Sequence, residues 1–502
     1  MLRFSPNPNR AALIPWQEWS DDAFRAATEQ DKPVLLFLSA FWCRYCQRMD
    51  EEAFSQTENI ALLKAYFVSI RVENAQRPEI DARYNFNGWP TVAFLSPAGQ
   101  LLAAVNYLDA ETFKNVLLDV YMAYQQRKSE SSATAESEEG PVGASAGQDD
   151  EQVFAANLLS ISNGVMTLAD RAHGGYGHGQ KFIQAEVNEF LLKRFETTRD
   201  SACLDHVCLT LDNMRLGAIH DRAAGGYFRT TTGADWSEPH REKLLLEQAG
   251  LLSNCLHAFR LTQDANYAAM AAEIVAYLNH CLFDPGTGAF YGCEDFLRSA
   301  IPARSAAEEY FSIVDECIYV DANAVVISAY LDAATILKIA DCRERALAAL
   351  DFIWAHCRSP QGVTHHLYQG SVHAPPLLSD QALLGLALVH SYGASGKPVY
   401  FEWAEQLAQF VLTCLRNPAG GYFDVPANHS TSLGSRLTLI EANGPTALFF
   451  MALGDVTKAQ KYFDAARWAL RSFRGDLGSC GVLAAAYGSA LDQYLNRRQN
   501  HR

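Results

Sequence analysis

The chain has 502 residues, and its 41 lysines and arginines against 57 aspartates and glutamates give a formal net charge of −16 at pH 7. A hydrophobic fraction of 49% with 20% charged residues is typical of globular proteins, and the length predicts more than one domain. The negative charge argues against nucleic acid and anionic membrane surfaces as partners. The sequence contains no apolar run of the roughly 18 residues that a spanning helix needs, so we expect no membrane partner.

The first ten residues contain no apolar region of the kind that begins a secretory signal. The sequence therefore predicts a cytoplasmic protein. Twelve cysteines are scattered along the chain, and in a reducing compartment most of them are expected to be small buried hydrophobes.

A polar segment divides the chain. Residues 128–152 are rich in serine, alanine, glycine and glutamate and contain no aromatic residue. Such a composition cannot bury enough apolar surface to order itself, which predicts a flexible linker. We therefore expect a first domain over residues 1–127 and a second over residues 153–502.

The first domain alternates helical and strand-like patterns. Ser20 is a candidate N-cap for its first helix. In chain order, the predicted elements are a helix over Trp19–Gln30, a buried strand over Val34–Leu38, a helix from Cys43 to Phe54, a strand over Tyr66–Val72, a hairpin of Thr91–Leu95 with Leu101–Tyr107, and a closing helix over Asp109–Gln125. This order predicts a small α/β domain with helices on both faces of its sheet.

A Cys-x-x-Cys motif, Cys43-Arg-Tyr-Cys46, follows the buried strand and opens the next helix. The free amide groups and the dipole at a helix N-terminus favour a thiolate at Cys43, and Cys46 is close enough one turn later to form a disulfide. We predict that Cys43 is an exposed attacking thiol and Cys46 the resolving thiol. A zinc half-site and an inert pair remain alternatives. Because the sequence has no second Cys-x-x-Cys motif, we predict no metal, and we predict no cofactor.

A proline borders the predicted redox site. Gly88-Trp-Pro90 precedes the Thr91–Leu95 strand, which indicates a cis peptide that leaves a backbone strip free for a partner chain. Trp42, Trp89 and Pro90 are the predicted substrate-positioning residues. Together with the cysteine motif, these features resemble the thioredoxin fold over the whole first domain.

The resemblance to thioredoxins has one gap. Thioredoxins usually carry a buried carboxylate six residues before the first cysteine, where this chain has Phe37. The acidic residues Asp50, Glu51 and Glu52 follow on the next helix, and we interpret them as a solvated face rather than a replacement.

The second part of the chain is dominated by long helical patterns with almost no strand signal. Glycine-rich loops with an aromatic residue interrupt the helices at a loose period: Gly174-Gly-Tyr176, Gly225-Gly-Tyr-Phe228, Gly286–Tyr291 and Gly420-Gly-Tyr-Phe423. A repeat of this length is typical of stacked helix pairs. Five or six such pairs in 350 residues predict a closed all-α (α/α)6 toroid, with an open helical array as the alternative.

The two parts together resemble the spermatogenesis-associated protein 20-like family, which joins a thioredoxin-like domain to a six-hairpin α/α barrel. The residues that carry the resemblance are Trp16, Asp31-Lys-Pro33, Cys43, Cys46, Met49 and Gly88-Trp-Pro90 in the first part, and Gly174–Gly177, Lys181-Phe182, Asp221, Gly225–Arg229, Trp236, Pro239–Lys243, Asn323 and Asn443-Gly-Pro445 in the second. The resemblance implies a barrel similar to N-acylglucosamine 2-epimerases and several glycoside hydrolases, with a site at the mouth of the toroid.

One stretch of the second part concentrates chemistry typical of a binding site. Its candidate residues are Asp221, Arg229, Trp236, His240, Glu242 and Lys243. Tyr227 and Trp236 could stack on sugar rings, whereas the acids and His240 could exchange protons near neutral pH. The alternative is a structural ion-pair cluster that ties a long loop to the following helix.

The second part contains further acids and histidines whose role the sequence does not indicate. We expect Glu242 and Glu247 to lie five residues apart on one helix and therefore on different faces. Asp315, Asp321 and Asp380 are other possible acids. The histidines at 173 and 178 are available as bases. Those at 365, 366 and 373 could bind a metal, but we interpret them as a chance loop cluster.

The sequence thus supports three hypotheses about function. The first is a thiol–disulfide oxidoreductase fused to a sugar-enzyme-like barrel, with a disulfide-containing protein or a small thiol as partner and a sugar as possible barrel ligand. The second is a carbohydrate-active enzyme, either an epimerase, an isomerase or a glycoside hydrolase, with an accessory thioredoxin-like domain. The third is a non-catalytic interaction protein.

Overall fold

A computed structural model describes residues 2–130, 149–298, 310–429 and 435–500. The Cα packing divides the chain into two compact units. Among the described residues, unit 1 consists of 2–130 with 427–429, 435 and 436, and unit 2 holds the remainder.

Unit 1 is built on a four-stranded mixed sheet in the order β2-β1-β3-β4. Its strands are β1 Val34–Ser39, β2 Val68–Glu73, β3 Thr91–Leu95 and β4 Leu101–Val105. Strands β1 and β2 are parallel, whereas β3 is antiparallel to both β1 and β4. All six residues of β1 are buried, as expected for the central strand of a sheet covered on both faces.

Five α-helices surround this sheet: α1 Asp21–Gln30, α2 Arg44–Glu51, α3 Thr57–Tyr66, α4 Pro78–Tyr84 and α5 Ala110–Glu130. Ser20 caps α1 as predicted, since its side chain accepts the N–H of Ala23. The predicted thioredoxin-like α/β fold is confirmed.

Most of the predicted linker, residues 131–148, lies outside the described residues. Both of its described ends are helical, because α5 continues to Glu130 and the next helix begins at Asp150. Asp150 is only 3% exposed, and its carboxylate forms ion pairs of 2.6–3.0 Å with three arginines, namely Arg467, Arg471 and Arg474. The acidic end of this polar segment is therefore anchored by charge instead of by apolar burial.

Unit 2 is a ring of six helical hairpins. The inner helices are α7 Ala185–Thr198, α9 Leu245–Thr262, α11 Val320–Ile336, α13 Leu378–Ser395, α15 Ile440–Thr457 and α17 Ala485–Asn500, and the outer helices are α6 Asp150–Leu168, α8 Ser201–Leu216, α10 Ala265–Tyr277, α12 Ala340–Cys357, α14 Pro398–Phe410 and α16 Gln460–Ala469. Each inner helix packs against the next, and α17 packs against α7. This last contact closes the ring, so the predicted (α/α)6 toroid is confirmed over the open array.

Short strands, which the sequence did not predict, line the connections of unit 2. They are β5 Lys181–Phe182, β6 Thr230–Thr231, β7 Pro239–His240, β8 Lys243–Leu244, β9 Cys293–Arg298, β10 Tyr310–Asp315, β11 Ile318–Tyr319, β12 Arg358–Ser359, β13 Gly362–Val363, β14 His366–Tyr368 and β15 Ser371–His373. Most are two or three residues long, which is too short to produce an alternating pattern. They hold together the loops that lead from an outer helix into the next inner helix.

Across the described ranges, we find no helix that combines the length and the apolar character needed to cross a bilayer.

A buried amide fixes four of these loops to the inner helix that follows. The amide is the fourth residue of its helix and is fully buried in each case: Gln248 in α9, Asn323 in α11, Gln381 in α13 and Asn443 in α15. Its oxygen accepts a loop N–H and its nitrogen donates to the carbonyl of the same loop residue, which is Tyr227, Phe290, Val363 and Tyr422 in turn. We call these contacts the amide clamps.

The loop glycines allow the close approach that a clamp requires. Gly226 has a φ of +72°, and a Cβ there would lie 2.8 Å from the ring of Tyr277 and 3.1 Å from the amide oxygen of Gln248. Only glycine fits this conformation and this space without displacing either neighbour. Three of the predicted glycine–aromatic loops, at Tyr227, Phe290 and Tyr422, are thus the loop side of an amide clamp.

The amide clamps predict a large stability cost for removing one of them. We expect Asn323→Leu, which keeps the number and branching of the heavy side-chain atoms, to lower the free energy of unfolding by about 2–4 kcal/mol. The reason is that the N–H and carbonyl of Phe290 and the carbonyl of Tyr319 lose their buried partner. Urea unfolding followed by circular dichroism measures the difference.

The matched control is Asn266→Leu in the first turn of α10, where the side chain is exposed. This change should alter stability by no more than about 0.5 kcal/mol. Equal stability of the two variants would contradict a structural role for the amide clamps.

Candidate functional site

Cys43 and Cys46 are joined by a disulfide at the start of α2. Cys43 is the N-cap residue of this helix, and its Sγ accepts the N–H of Cys46 at 3.1 Å. The same N–H would stabilise a thiolate on Cys43 after reduction of the disulfide, since helix N-termini favour negative charge. The pair has the geometry that the sequence predicted.

The exposure of Cys43 differs from the prediction. Cys43 is 5% exposed and Cys46 2% exposed, so the expected exposed thiol is largely covered in the disulfide form. Both cysteines belong to the apolar core of unit 1, and Trp42 and Trp89 pack against that core. In the disulfide form, a partner therefore has little direct access to either sulfur.

The aromatic residues of the site contact one another. The rings of Trp42 and Trp89 meet edge to face with their centroids 5.4 Å apart, and the indole N–H of Trp89 donates to Asp81 at 2.9 Å. The Trp89–Pro90 peptide is cis, as predicted. The carbonyl of Pro90 accepts the side-chain amide of Asn106 at 3.0 Å. The substrate-positioning roles of Trp42, Trp89 and Pro90 stay a prediction.

Asp50 is buried, contrary to the interpretation of residues 50–52 as a solvated face. Its side chain is fully buried and forms a two-point ion pair with Arg71, with distances of 2.7 and 2.8 Å. The backbone N–H of Ser5 donates to the same carboxylate at 2.8 Å. The Arg71 guanidinium lies 4.7 Å from the ring of Phe37, the residue that replaces the usual thioredoxin acid.

Asp50 also lies four residues after Cys46 on α2, so the two side chains share one helix face. The sequence interpretation failed because the arginine that neutralises Asp50 comes from the neighbouring strand β2. The site thus has a buried carboxylate, but one held in an ion pair and supplied by the helix.

In unit 2, two of the six predicted barrel residues form a buried structural pair. The ammonium of Lys243 is fully buried, 2.8 Å from the Asp221 carboxylate and 2.8 Å from the carbonyl of Gly225. Burial opposes ionisation of Asp221, but the contact with Lys243 outweighs it and lowers the pKa of Asp221. Asp221 and Lys243 thus form an ion pair, as the structural alternative predicted, and a ligand-binding role for them stays a prediction.

The preceding loop repeats this construction. Lys181 is fully buried and lies 2.7 Å from Asp170 and 2.6 Å from the carbonyl of Gly177. A buried lysine that binds both an acid and a glycine loop is therefore a recurring structural device of the first two loops.

The expectation that Tyr227 and Trp236 stack on a sugar is wrong. Both side chains are fully buried. The indole N–H of Trp236 donates to the carbonyl of His173 at 2.7 Å, and its ring lies against Gly175. The two aromatics were misleading because they fill space under the glycine loops and do not face the mouth of the barrel.

The other three predicted barrel residues form a second group. Arg229 contacts Glu242 at 2.8 Å, and the imidazole of His240 lies 4.0 Å from the same carboxylate. Arg229 and Glu242 are largely buried, whereas the His240 side chain is 43% exposed.

Glu247 belongs to the same group, although the sequence predicted that it lies on a different helix face from Glu242. Glu242 precedes β8 and is not helical, so the assumption that it shares a helix with Glu247 is wrong. Partial burial and the charge of Glu242 raise the pKa of Glu247 to about 7, although Arg229 opposes this effect. The Oε2 atom of Glu247 is buried and lacks a hydrogen-bond partner among the described residues. A carboxyl group that titrates near neutral pH can donate or accept a proton.

Carboxylates recur at the entrance to the ring. Five of the six inner helices carry an acid at their second or third position: Glu186, Glu247, Asp321, Asp380 and Glu441. Surrounding protein and the charge of Glu441 on α15 raise the pKa of Glu186 on α7. We call this set the acidic ring.

Two acids of the acidic ring lie close to a histidine. Asp321 of α11, Asp380 of α13 and His365 from the loop before β14 place one ligand-type atom each within 4.8 Å of one another. Burial and the neighbouring Asp321 charge raise the pKa of Asp380 to about 6, although the His365 imidazole opposes them. The other two histidines of the predicted chance cluster, His366 and His373, stack on each other with ring centroids 5.5 Å apart. Of the three histidines, His365 is the one that meets two acids.

The sequence contains a pattern that identifies the acids of the acidic ring. In each helix the acid comes one or two residues before the helix's fourth residue, as in Glu247-Gln248 and Asp321-Ala-Asn323. A search for this acid–amide pattern at the starts of the helices would have found all five acids.

The raised pKa of Glu247 predicts how substitution changes stability with pH. Its folded pKa of about 7 exceeds the ordinary value of about 4.5, so the ionised form destabilises the fold above pH 7 and this cost disappears below about pH 4.5. We expect Glu247→Gln to be more stable than the wild type by about 1–3 kcal/mol at pH 8. The advantage should vanish near pH 4.5, as measured by urea unfolding at both pH values.

The control is Glu58→Gln on α3, an exposed acid, for which the difference from wild type should stay small at both pH values. A constant difference between Glu247→Gln and wild type across the pH range would show that Glu247 has an ordinary pKa.

Three comparisons with known proteins agree with this architecture. Residues 8–139 match the Thioredox_DsbH family model ("Protein of unknown function, DUF255"). The thiol:disulfide interchange protein DsbD of Yersinia pestis is 31% identical over 96 residues, which cover 17% of this chain and 16% of that protein. Unit 1 is therefore a thioredoxin-like domain related to DsbD.

The barrel has relatives among sugar enzymes. The structure of cellobiose 2-epimerase from Spirochaeta thermophila aligns with a TM-score of 0.57 at 15% identity, covering 70% of this chain and 96% of the epimerase. At this identity the likeness concerns the fold, which is that of α/α barrels found in sugar epimerases and glycosidases.

Longer matches cover more than half of the chain. Human spermatogenesis-associated protein 20 is 28% identical over 325 residues, which are 59% of this chain. The match spans 40% of the length of the human protein. The predicted resemblance to the spermatogenesis-associated protein 20-like family is therefore confirmed, in a chain that joins a thioredoxin-like domain to an (α/α)6 barrel.

Proposed function

We propose that unit 1 is a thiol–disulfide oxidoreductase. The observation that carries the proposal is the position of Cys43 as N-cap of α2, with the N–H of Cys46 directed at its sulfur and Cys46 as its disulfide partner. Thiolates are the reactive form of cysteine, and this position favours a thiolate. The similarity to a protein named for thiol:disulfide interchange supports the same chemistry.

The reaction transfers two electrons to a partner disulfide. The Cys43 thiolate attacks one sulfur of that disulfide, so a mixed disulfide forms and the other partner sulfur leaves as a thiolate. The Cys46 thiolate then attacks Cys43, which forms the Cys43–Cys46 disulfide and releases the second partner sulfur as a thiolate. The partner is reduced and the cysteine pair of unit 1 is oxidised.

The aromatic surroundings suit a disulfide carried on a peptide chain. Trp42 and Trp89 pack beside the cysteines and are partly exposed, and Tyr45 of α2 is 50% exposed. Together with Pro90 these residues would contact the segments that flank a partner's disulfide. Such contacts would let unit 1 select a partner although the sulfur atoms themselves are largely covered.

The proposal predicts different outcomes for the two cysteines. After reduction, Cys46→Ser should form a stable mixed disulfide with a disulfide-containing peptide, because the attacking thiol remains and the resolving thiol is lost. Cys43→Ser should form no such adduct and should reduce the peptide at least 100-fold more slowly than wild type. Mass spectrometry of the adduct and a thiol-release assay measure both effects.

The matched control is Cys414→Ser, which removes an exposed free thiol of unit 2 and should leave the rate unchanged. Failure of Cys46→Ser to form an adduct on Cys43, or an equal loss of rate in the Cys414 variant, would contradict the proposal.

We also propose that the barrel binds a neutral sugar at the acidic ring and acts on it by proton transfer. The specific observation is Glu247, whose pKa of about 7 lets it carry a proton at neutral pH beside the Arg229–Glu242 pair. In this role Glu247 donates or accepts the proton and Arg229 neutralises nearby charge. His240 is exposed in the same group and available to contact a hydroxyl.

The sugar proposal predicts a ligand-dependent rise in melting temperature. We expect mannose, glucose or cellobiose at millimolar concentration to raise the Tm of the wild type by about 2 °C or more. His240→Gln should weaken binding about tenfold, because an exposed polar contact is lost. Glu247→Gln should keep binding and lose turnover of the bound sugar at least 100-fold.

The control is His356→Gln at the exposed end of α12, which should bind as the wild type does. Absence of a shift with each of the three sugars, or equal shifts for wild type and His240→Gln at all concentrations, would contradict sugar binding at the acidic ring.

A further inference from the structure

The strongest unassigned cluster is the one formed by Asp321, His365 and Asp380, whose ligand-type atoms all lie within 4.8 Å of one another. We propose that these three side chains form a binding site for a divalent transition-metal cation. The sequence predicted no metal, and it did not connect these three residues, which are separated along the chain and come from α11, α13 and the loop between them. The proposal is independent of the proposed redox function and of sugar binding.

The geometry of the cluster fits a shared ion. The Nδ1 atom of His365 lies 3.0 and 3.1 Å from the two carboxylate oxygens of Asp380. Two donors bound at about 2.0–2.1 Å to one tetrahedral ion lie roughly 3.3 Å apart, so this separation suits two ligands of one metal with only a small shift. The ligand-type oxygen of Asp321 lies within 4.8 Å of the ligand-type atoms of His365 and Asp380, which is close enough to complete the set.

The charge of the cluster also points to a cation. His365 is 1% exposed and Asp380 is fully buried, whereas Asp321 is partly exposed. A His365–Asp380 ion pair alone would balance one carboxylate, but Asp321 adds a second negative charge beside it. Like charges in a buried site are unfavourable, and a divalent cation offsets both of them.

The donor set selects the class of metal. One imidazole with two carboxylates suits Zn²⁺, Mn²⁺ or Fe²⁺, whereas Ca²⁺ and Mg²⁺ prefer sites made of oxygen alone. Three protein ligands leave at least one coordination position open, as in catalytic metal sites. Asp321 and Asp380 both belong to the acidic ring, so the proposed metal site lies at the starts of two inner helices, α11 and α13.

The test measures binding of Zn²⁺ and Mn²⁺ to the full chain by isothermal titration calorimetry after removal of metals with a chelator. The protein is kept oxidised, so that the Cys43–Cys46 disulfide cannot bind zinc. We expect one ion per chain with a dissociation constant in the micromolar range or below. His365→Gln and Asp380→Asn should each weaken binding at least tenfold, and Asp321→Asn should do so without disturbing the buried pair.

Two measurements keep the result interpretable. His373→Gln removes an exposed histidine of the neighbouring strand β15 and should bind as the wild type does. Co²⁺ gives an absorption spectrum that separates nitrogen and oxygen ligands from thiolates, which excludes binding at free cysteines. The proposal is overturned if the wild type binds neither ion, or if folded Asp321→Asn binds as tightly as the wild type.

Discussion

The barrel depends on one repeated interaction, the hydrogen bonds from a buried side-chain amide to the backbone of a glycine loop. Four inner helices place this amide at their fourth residue, and each amide satisfies an N–H and a carbonyl that the loop could not pair within itself. An unpaired backbone group in this position would cost about 1–3 kcal/mol. The amide clamps therefore fix where each loop ends and which residues the first turn of each helix presents at the mouth.

The sequence was most informative where a pattern is local. The buried strand before Cys43, the cap at Ser20 and the cis bond at Pro90 are short-range features, and each was predicted correctly. The burial of Asp50 was missed because its partner Arg71 is 21 residues away on another strand. Neutralisation by a distant residue leaves no trace in a window of ten or twenty residues.

The barrel shows the same limit. Helix positions and the closed ring follow from periodicity, but the short loop strands and the meeting of Asp321, His365 and Asp380 depend on contacts between hairpins. Trp236 was assigned to a ligand although it is fully buried, because an aromatic near glycines looks the same in sequence whether it supports a loop or faces solvent. Exposure is a property of the assembled ring, and single residue types do not report it.

The acidic ring has a consequence for ligand charge. Its five acids, one on each of five inner helices, add negative charge at the entrance as they ionise, Glu247 and Asp380 only towards neutral pH, while Arg229 is already engaged with Glu242. Electrostatic repulsion of this kind raises the free energy of a bound anion and slows its approach. If the barrel binds a sugar as proposed, phosphorylated sugars and uronic acids would be disfavoured relative to uncharged or amino-bearing sugars, and charge would contribute to selection in addition to contacts with hydroxyls.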